Sequence, residues 1–321
     1  MKESKWIKKT ITPFARPIRW LGTLKKKRKN LTANADFISG NSAADGMHLK
    51  IMSFNIRRGT AADGKNHWVY RRKLVIEVLT RYLPDIVGLQ EALDFQMDEI
   101  SAMLPGYATI GAGNLGGREG MHNAIFYNEA YFDLAEEKTF WFSDTPDIPG
   151  SKGWGNTIPR ICTWVRLIEK RSGQAFYFYN AHLDHLSLTS RKKSVIHLIR
   201  QIRERQFREP FILAGDFNAR EKSAPIRYLK GIHLLKTKPK RRVLNPDPLV
   251  DTFRVCYPDL RKVVSFHGYH RFIFRLRIDY IFVPPSVRVD DAEIIQLHWK
   301  RRYPSDHFPL FAKIHIPGKE V

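Results

Sequence analysis

The chain has 321 residues and a formal net charge of +22, from 54 Lys or Arg against 32 Asp or Glu. A charge of this size attracts polyanions such as nucleic acid, anionic lipid headgroups or phosphorylated metabolites. The two cysteines, Cys162 and Cys256, exclude a disulfide framework. No apolar run approaches the roughly 18 residues of a membrane span, and Pro13 and Pro17 interrupt any signal-peptide core. We therefore expect a cytoplasmic location, with peripheral association at the inner face of the membrane as the alternative.

The first 46 residues differ in character from the rest. Residues 1–29 carry eleven Lys or Arg and one Glu, interleaved with side chains such as Trp6, Phe14 and Trp20. This pattern suits a peripheral anchor at an anionic membrane surface, an arm lying along nucleic-acid phosphates, or a disordered basic tail. Residues 34–46 are small and polar and predict a linker. We predict a tail and linker over 1–46, one folded domain over 47–321, and no obligate protein partner.

The folded part alternates between helical and strand-like patterns. Apolar residues recur on one face of residues 68–83, which predicts an amphipathic helix ending before Pro84. A second helix is predicted over 190–207, with basic residues outward. The runs AIFYN, TFWFS, CTWVRLI and AFYFYNA follow one another without a helix between them. Largely antiparallel sheets with helices outside are therefore expected.

Several short apolar runs of this domain lead to polar residues. Each run is rich in Val, Ile, Leu, Phe or Tyr, which predicts a buried strand. Polar side chains at the tips of neighbouring strands would meet in one site on a packed sheet. Carboxylate and amide oxygens without clustered Cys suit Mg²⁺ or Mn²⁺ rather than zinc. The residues concerned are Asn55, Glu91, His182, Asp184, Asp216, Asn218, Asp279, Asp306 and His307.

The metal ligands predicted from these motifs are Glu91, Asn55 and Asp306. Glu91 ends an apolar segment, where a charge is seldom buried without a partner, and a metal would supply one. The alternative is a Glu that caps the following helix. Asn55 alone is equally consistent with a turn residue. Asp306 precedes His307 and would face the other way in a strand, which favours a second-site metal or water ligand.

The predicted catalytic residues divide into two pairs and a histidine. Asp216 and Asn218 follow Gly215, which would allow a tight turn, and would orient or deprotonate water; an ordinary Asp-Asn turn is the alternative. His307 needs a carboxylate to fix its tautomer, and we expect Asp279 to provide it. His182 would donate to a nonbridging phosphoryl oxygen, where charge develops.

Three further residues are predicted to contact substrate: Arg160, Asp184 and His267. Arg160 follows Pro159 and precedes a buried strand, which suits a position at the rim of the site. His267 lies in the segment SFHG, where a turn residue is the alternative. Arg57, Arg58, Arg71 and Arg72 could also reach phosphates, but arginines on a helix surface are usually solvated.

Taken together, the motifs and their order resemble the endonuclease/exonuclease/phosphatase superfamily over about residues 48–317, and most closely an uncharacterised bacterial branch near the nocturnin-like deadenylases and neutral sphingomyelinases. The resemblance implies a four-layer α/β/β/α sandwich of two mostly antiparallel mixed sheets, as in DNase I-like proteins. It implies that Glu91 is the main Mg²⁺ ligand with Asn55 beside it, that Asp216 and Asn218 position water, and that Asp279 orients His307. The motifs are SFNIR, LQE, HLD, GDFNA, IDYIF and PSDH.

We therefore expect residues 47–321 to form a catalytic domain that hydrolyses phosphodiester bonds by Mg²⁺- or Mn²⁺-assisted in-line attack of water. Because the domain itself is basic, RNA or single-stranded nucleic acid trimmed from the 3′ end is the favoured substrate. A phospholipid or a phosphorylated small molecule at a membrane surface is the enzymatic alternative. The non-enzymatic alternative is a phosphate-binding module that has lost its chemistry.

Overall fold

The computed structural model describes residues 46–237, 241–270 and 275–318, so the predicted tail and most of the linker lie outside the described residues. None of the helices in these ranges is long and apolar enough to cross a membrane. The helices are α1 (Trp68–Tyr82), α2 (Asp94–Ser101), α3 (Leu188–Arg203), α4 (Ala224–Leu229) and α5 (Thr252–Cys256). The strands are β1 (Met47–Asn55), β2 (Ile86–Ala92), β3 (Tyr107–Ile110), β4 (His122–Asn128), β5 (Phe132–Trp141), β6 (Ile161–Glu169), β7 (Ala175–His182), β8 (Phe211–Asp216), β9 (Leu235–Thr237), β10 (Arg241–Val243), β11 (Val250–Asp251), β12 (Asp279–Val283), β13 (Arg288–Ile294) and β14 (Leu310–Ile316).

Two six-stranded sheets form the centre of the described chain. The first sheet has the strand order β13-β14-β1-β2-β4-β3 and the second has the order β11-β12-β8-β7-β6-β5. Only the pairs β1/β2 and β7/β8 are parallel among these neighbours. The predicted mixed, mostly antiparallel architecture is therefore confirmed.

Three apolar clusters hold the layers together. The central cluster joins the facing sides of the two sheets, for example Ile51 and Ile86 of the first with Phe178 and Ile212 of the second. One outer cluster packs α1 and α2 on the first sheet, and another packs α3 and α4 on the second. Burial of these faces removes apolar surface from water on both sides of each sheet. The four-layer α/β/β/α sandwich is thus as expected.

The two long helices match their predicted inward faces but not all of their predicted ends. Helix α1 ends at Tyr82, and Leu83 adopts a left-handed conformation just before Pro84. Helix α3 begins earlier than predicted because the Ser187 Oγ atom caps it by accepting from the Ser190 amide. It stops at Arg203 rather than at residue 207.

A buried polar clasp joins the two sheets beside the ends of β2 and β7. The Asn180 amide donates to the carbonyls of Leu89 and Ala124, and its oxygen accepts from Gln90 at 2.7 Å. Gly88 permits this approach, because a Cβ atom there would lie 2.8 Å from the Asn180 side chain. These hydrogen bonds fix the relative position of β2 and β7, which carry the predicted site residues Glu91 and His182.

Candidate active site

A pocket of about 750 Å³ opens at the edge of the sandwich where β1, β2, β7 and β8 carry their polar residues. Parallel strands present their carboxyl ends at the same edge of a sheet, and here two such pairs face each other. Of the predicted site residues, those that line this pocket are Glu91, Arg160, His182, Asp216, Asn218, Asp306 and His307.

Glu91 reaches the pocket through an irregularity in its strand. The pairing of β2 with β4 shifts register between Leu89 and Ala92, and Glu91 has a positive φ of 60°. In a regular strand Glu91 would share the face of Leu89, which packs against the helix layer. The bulge turns the carboxylate to the site edge instead. There its Oε1 atom accepts from the Asn55 amide at 3.2 Å.

The second sheet places three polar residues side by side. His182, Asp216 and Asp279 are register neighbours on β7, β8 and β12. Asp216 lies two residues beyond Ala214 of the central cluster, so its side chain continues the face directed at the first sheet. Its Oδ2 atom accepts from Asn55 at 3.1 Å, which links the two sheets across the site.

Asn218 enters the pocket by a turn, not by continuation of the strand. Strand β8 ends at Asp216, and Asn218 has a left-handed φ of 46° with its amide N–H donating to Asp216 Oδ1. Gly215 is required for a different reason than predicted: a Cβ atom would lie 1.9 Å from the Ala181 carbonyl oxygen. The close approach of β7, together with the positive φ of 147° at Gly215, excludes a side chain there.

His307 and Asp279 form the predicted pair. The His307 Nδ1 atom lies 2.9 Å from Asp279 Oδ2, and its Nε2 atom lies 3.8 Å from Asp216 Oδ2. Burial alone would lower the pKa of His307, but Asp279, followed by Asp216 and Asp306, raises it to about 10. In the metal-free protein these carboxylates therefore favour the protonated form of His307. Asp306 is not in a strand, since β14 begins only at Leu310, and this bend lets both side chains line the pocket.

His182 differs from its predicted role in the direction of its hydrogen bonds. Its Nε2 atom lies 3.0 Å from Arg160 Nη1 and 3.1 Å from the Asn218 amide nitrogen, both of which are donors. Burial, and then the Arg160 charge, lower the pKa of His182 well below its usual value. His182 is thus a neutral acceptor in this arrangement. The positive charge directed at the pocket from this side belongs to Arg160.

Two residues predicted to contact substrate, Asp184 and His267, do not line the pocket. Asp184 is fully buried; its Oδ1 atom accepts from Leu186 and Ser187, and Oδ2 lies 3.5 Å from Arg160 Nε. It therefore pairs with Arg160, which does line the pocket. His267 packs against aromatic rings, and burial lowers its pKa to about 3. The pocket-lining residues that sequence reasoning did not single out as site residues include Arg57, Arg58, His185, Arg191 and Arg220.

Arg71 was expected on a solvated helix surface, yet it is buried with only 2% of its surface exposed. Its guanidinium donates to the carbonyls of Ile56, Asn66 and Arg57, and to the Pro304 carbonyl at 3.0 Å. It therefore ties the segment after Asn55 to the segment before Asp306. The helical periodicity did indicate this burial, because position 71 falls on the same helix face as the inward-facing Trp68 and Val75.

We expect Arg71→Met to lower the free energy of unfolding by about 3 kcal/mol or more, because several buried carbonyls lose their donor. The neighbouring Arg72 is the matched control: it is half-exposed and pairs with Glu99 at 3.1 Å. Arg72→Met should cost less than about 1 kcal/mol. Urea unfolding followed by circular dichroism measures both, and equal losses would contradict the bracing role of Arg71.

The oxygen donors of the pocket suit a hard divalent cation. Burial and then Asp279 raise the pKa of Asp216, and burial together with Glu91 raises that of Asp306, although His307 opposes both shifts. Carboxylates perturbed in this direction lack sufficient positive charge around them. Glu91 and Asp306, which both line the pocket, would hold such an ion, and the adjacent Asn55 donates its amide to Glu91 and Asp216. Asp216, Asp279 and His307 also lie within 4.8 Å of one another, but a protonated His307 pairs with these carboxylates and offers no lone pair to a metal.

Comparisons with known proteins agree with this geometry. A sequence profile of the Endonuclease/Exonuclease/phosphatase family matches residues 52–307. An uncharacterised protein of Acanthamoeba polyphaga mimivirus is 33% identical over 185 residues, which is 54% of this chain and 68% of that protein.

Two solved structures extend the similarity over most of the chain. A Bacteroides vulgatus endonuclease/exonuclease/phosphatase is 28% identical with a TM-score of 0.74, covering 84% of this chain and 99% of the other. A mannosyl-6-phosphatase from Bacteroides thetaiotaomicron is 30% identical with a TM-score of 0.71, covering 83% and 99% respectively. The chain belongs to the Endonuclease/Exonuclease/phosphatase family and, like its members, is a hydrolase of phosphoester bonds.

Proposed function

We propose that the protein is a Mg²⁺- or Mn²⁺-dependent phosphoesterase whose preferred substrate is a phosphate monoester of a small polar molecule. The observation that carries this proposal is the pocket itself, which gathers three carboxylates and several arginines around about 750 Å³. This volume falls in the range of pockets that accommodate small-molecule ligands.

The catalytic steps assigned to the chain's own residues follow from their protonation. Asp216, with its raised pKa, is a base suited to accept a proton from the attacking water near neutral pH. His307 is protonated: it opposes the negative charge of the transition state, and its Nε2 proton goes to the leaving oxygen as the bond between that oxygen and phosphorus breaks. Arg160 binds a phosphoryl oxygen, while His182 accepts from its guanidinium and Asn218 donates to His182. A divalent cation held by the Glu91 site would polarise the phosphoryl oxygen.

Two observations favour a monoester of a small molecule over a polymer. Phe266 is the one aromatic residue besides histidine among the described residues that line the pocket, whereas single-stranded nucleic acid is usually stacked on several aromatic rings. In addition, the relative that is 30% identical is named for the hydrolysis of a phosphorylated sugar. The sugar or other group carrying the phosphate would contact Met121, Ile158 and Leu188 on the apolar part of the wall.

Single-stranded nucleic acid, the substrate expected from sequence, is the second candidate. Arg58 and Arg220 line the pocket and are exposed, so positive charge continues from the site onto the surface. A polymer extending out of the pocket would bring further phosphates to this charge.

A substrate panel with the full chain distinguishes the candidates. We expect phosphate release from mannose 6-phosphate or a related sugar phosphate in Mg²⁺ or Mn²⁺, with kcat/KM at least about 100-fold above that for a phosphodiester. His307→Ala protein purified in parallel controls for contaminating phosphatase. Shortening of a labelled RNA from its 3′ end, without phosphate release from any sugar ester, would contradict the proposal and favour the second candidate. Hydrolysis of sphingomyelin alone would contradict both.

A further inference from the structure

The segments that flank the hairpin of β9 and β10 present aliphatic side chains to solvent. Ile232, Leu234 and Leu244 are 58%, 44% and 48% exposed, and no described part of the chain covers them. Together with Lys236 and Arg242 they line an open groove. We call these five residues the hairpin patch. The opposite side of the hairpin is anchored, because Leu235 is buried in the cluster beneath α3 and α4.

The stretch of sequence that contains the hairpin patch carries only basic charges. No Asp or Glu occurs between Glu221 and Asp247, and both of these acids are paired elsewhere, Glu221 with Arg254 and Asp247 with Arg203. Lys236 and Arg242 are exposed beside the aliphatic side chains. The basic residues of this stretch are Lys222, Arg227, Lys230, Lys236, Lys238, Lys240, Arg241 and Arg242, of which Lys238 and Lys240 lie outside the described residues.

This charge decides among the surfaces that could cover the patch. Residues 1–29 carry eleven Lys or Arg and one Glu, so the chain's own N-terminal segment is repelled. A second copy would bring the same positive charge to the same face. Nucleic acid would satisfy the cations but not the aliphatic side chains, since bases stack on aromatic rings and the patch has none.

We propose that the hairpin patch docks on an anionic lipid bilayer. Ile232, Leu234 and Leu244 enter the boundary between headgroups and acyl chains, while Lys236 and Arg242 contact lipid phosphates. Exposed aliphatic residues flanked by cations have the composition of interfacial binding surfaces. This surface is separate from residues 1–29, and it does not depend on which phosphate ester is hydrolysed.

Co-sedimentation of the full chain with vesicles of phosphatidylcholine and phosphatidylglycerol tests the proposal. We expect Lys236→Glu/Arg242→Glu to weaken binding at least about tenfold, because each cation at such a surface contributes appreciably. Ile232→Asn/Leu244→Asn, which changes no charge, should also weaken it severalfold. The matched control is Lys73→Glu/Arg81→Glu on α1, at the opposite outer layer, with less than about a threefold effect.

Binding of a single-stranded RNA oligonucleotide is measured with the same variants. Ile232→Asn/Leu244→Asn should leave RNA binding unchanged while reducing vesicle binding. Vesicle binding equal to wild type in both hairpin variants would overturn the proposal and leave residues 1–29 as the lipid contact. An unaffected aliphatic variant, with charge reversal weakening RNA and vesicles alike, would also overturn it in favour of a nucleic-acid surface. Unchanged hydrolysis of a soluble phosphate ester confirms that each variant is folded.

Discussion

Glu91→Gln should reduce kcat/KM by about 1,000-fold or more at limiting Mg²⁺, because a bound metal contributes several kcal/mol of transition-state stabilisation. The amide retains the shape of the side chain but loses the charge that would hold the cation. Glutamine adopts a positive φ about as readily as glutamate, so the bulge at Glu91, with its φ of 60°, should persist. Steady-state kinetics across a Mg²⁺ titration measure the loss.

The same substitution should not reduce the thermal stability of the metal-free protein. Glu91 raises the pKa of the nearby Asp306, which means that the two carboxylates repel each other. Removing one charge should leave the unfolding temperature unchanged or slightly higher. Glu137→Gln on the exposed surface of β5 is the control and should alter neither property. Near-normal turnover of Glu91→Gln at limiting Mg²⁺, or unaltered Mn²⁺ affinity by calorimetry, would show that the metal assignment is wrong.

His307→Ala should reduce kcat by about 1,000-fold, within the range expected for a group that acts on protons in the transition state. Asp279→Asn should reduce it less, by about 100-fold, because the imidazole remains but loses the carboxylate 2.9 Å from its Nδ1 atom. The double variant should resemble His307→Ala alone, since the two residues act as a unit.

A second measurement separates this role from simple packing. Among the carboxylates that raise the pKa of His307, Asp279 has the largest effect. Asp279→Asn should therefore lower that pKa from about 10 in the metal-free protein. Titration of the imidazole followed by NMR reports the change directly. Rate losses that add in the double-mutant cycle, or an unchanged titration of His307, would mean that Asp279 serves a group other than His307.

Much of the site could be predicted because its residues stand at the ends of recognisable strands. Asn55, His182 and Asp216 each end an apolar run, and parallel pairing brings the ends of such runs to one edge. Side-chain alternation then directs them to the same face as the residues two positions earlier. These are local properties, so composition and order along the chain were sufficient for them, and the family motifs agreed.

The remaining features depend on which atoms of distant segments meet. Glu91 faces the pocket only because pairing with β4 introduces a bulge, and periodicity alone would have directed it at the helix layer. His182 accepts rather than donates because Arg160, 22 residues earlier, directs one guanidinium nitrogen at His182 and the other at His185. A hydrogen bond's direction is a property of both partners, and a sequence names only one of them at a time.

Arg71 shows the same division between sequence and structure. Its place on the inner face of α1 follows from the helical period. Its burial does not follow from the helical period, because a buried arginine needs carbonyl groups that accept from its guanidinium. Here the carbonyls of Ile56 and Pro304 come from separate loops. The sequence by itself determined which residue types reach the site edge and the order of strands that delivers them. Only the tertiary structure decided which of these residues can bind a ligand, which support another segment and which accept a hydrogen bond. Those roles are set by partners brought together from far apart in the chain.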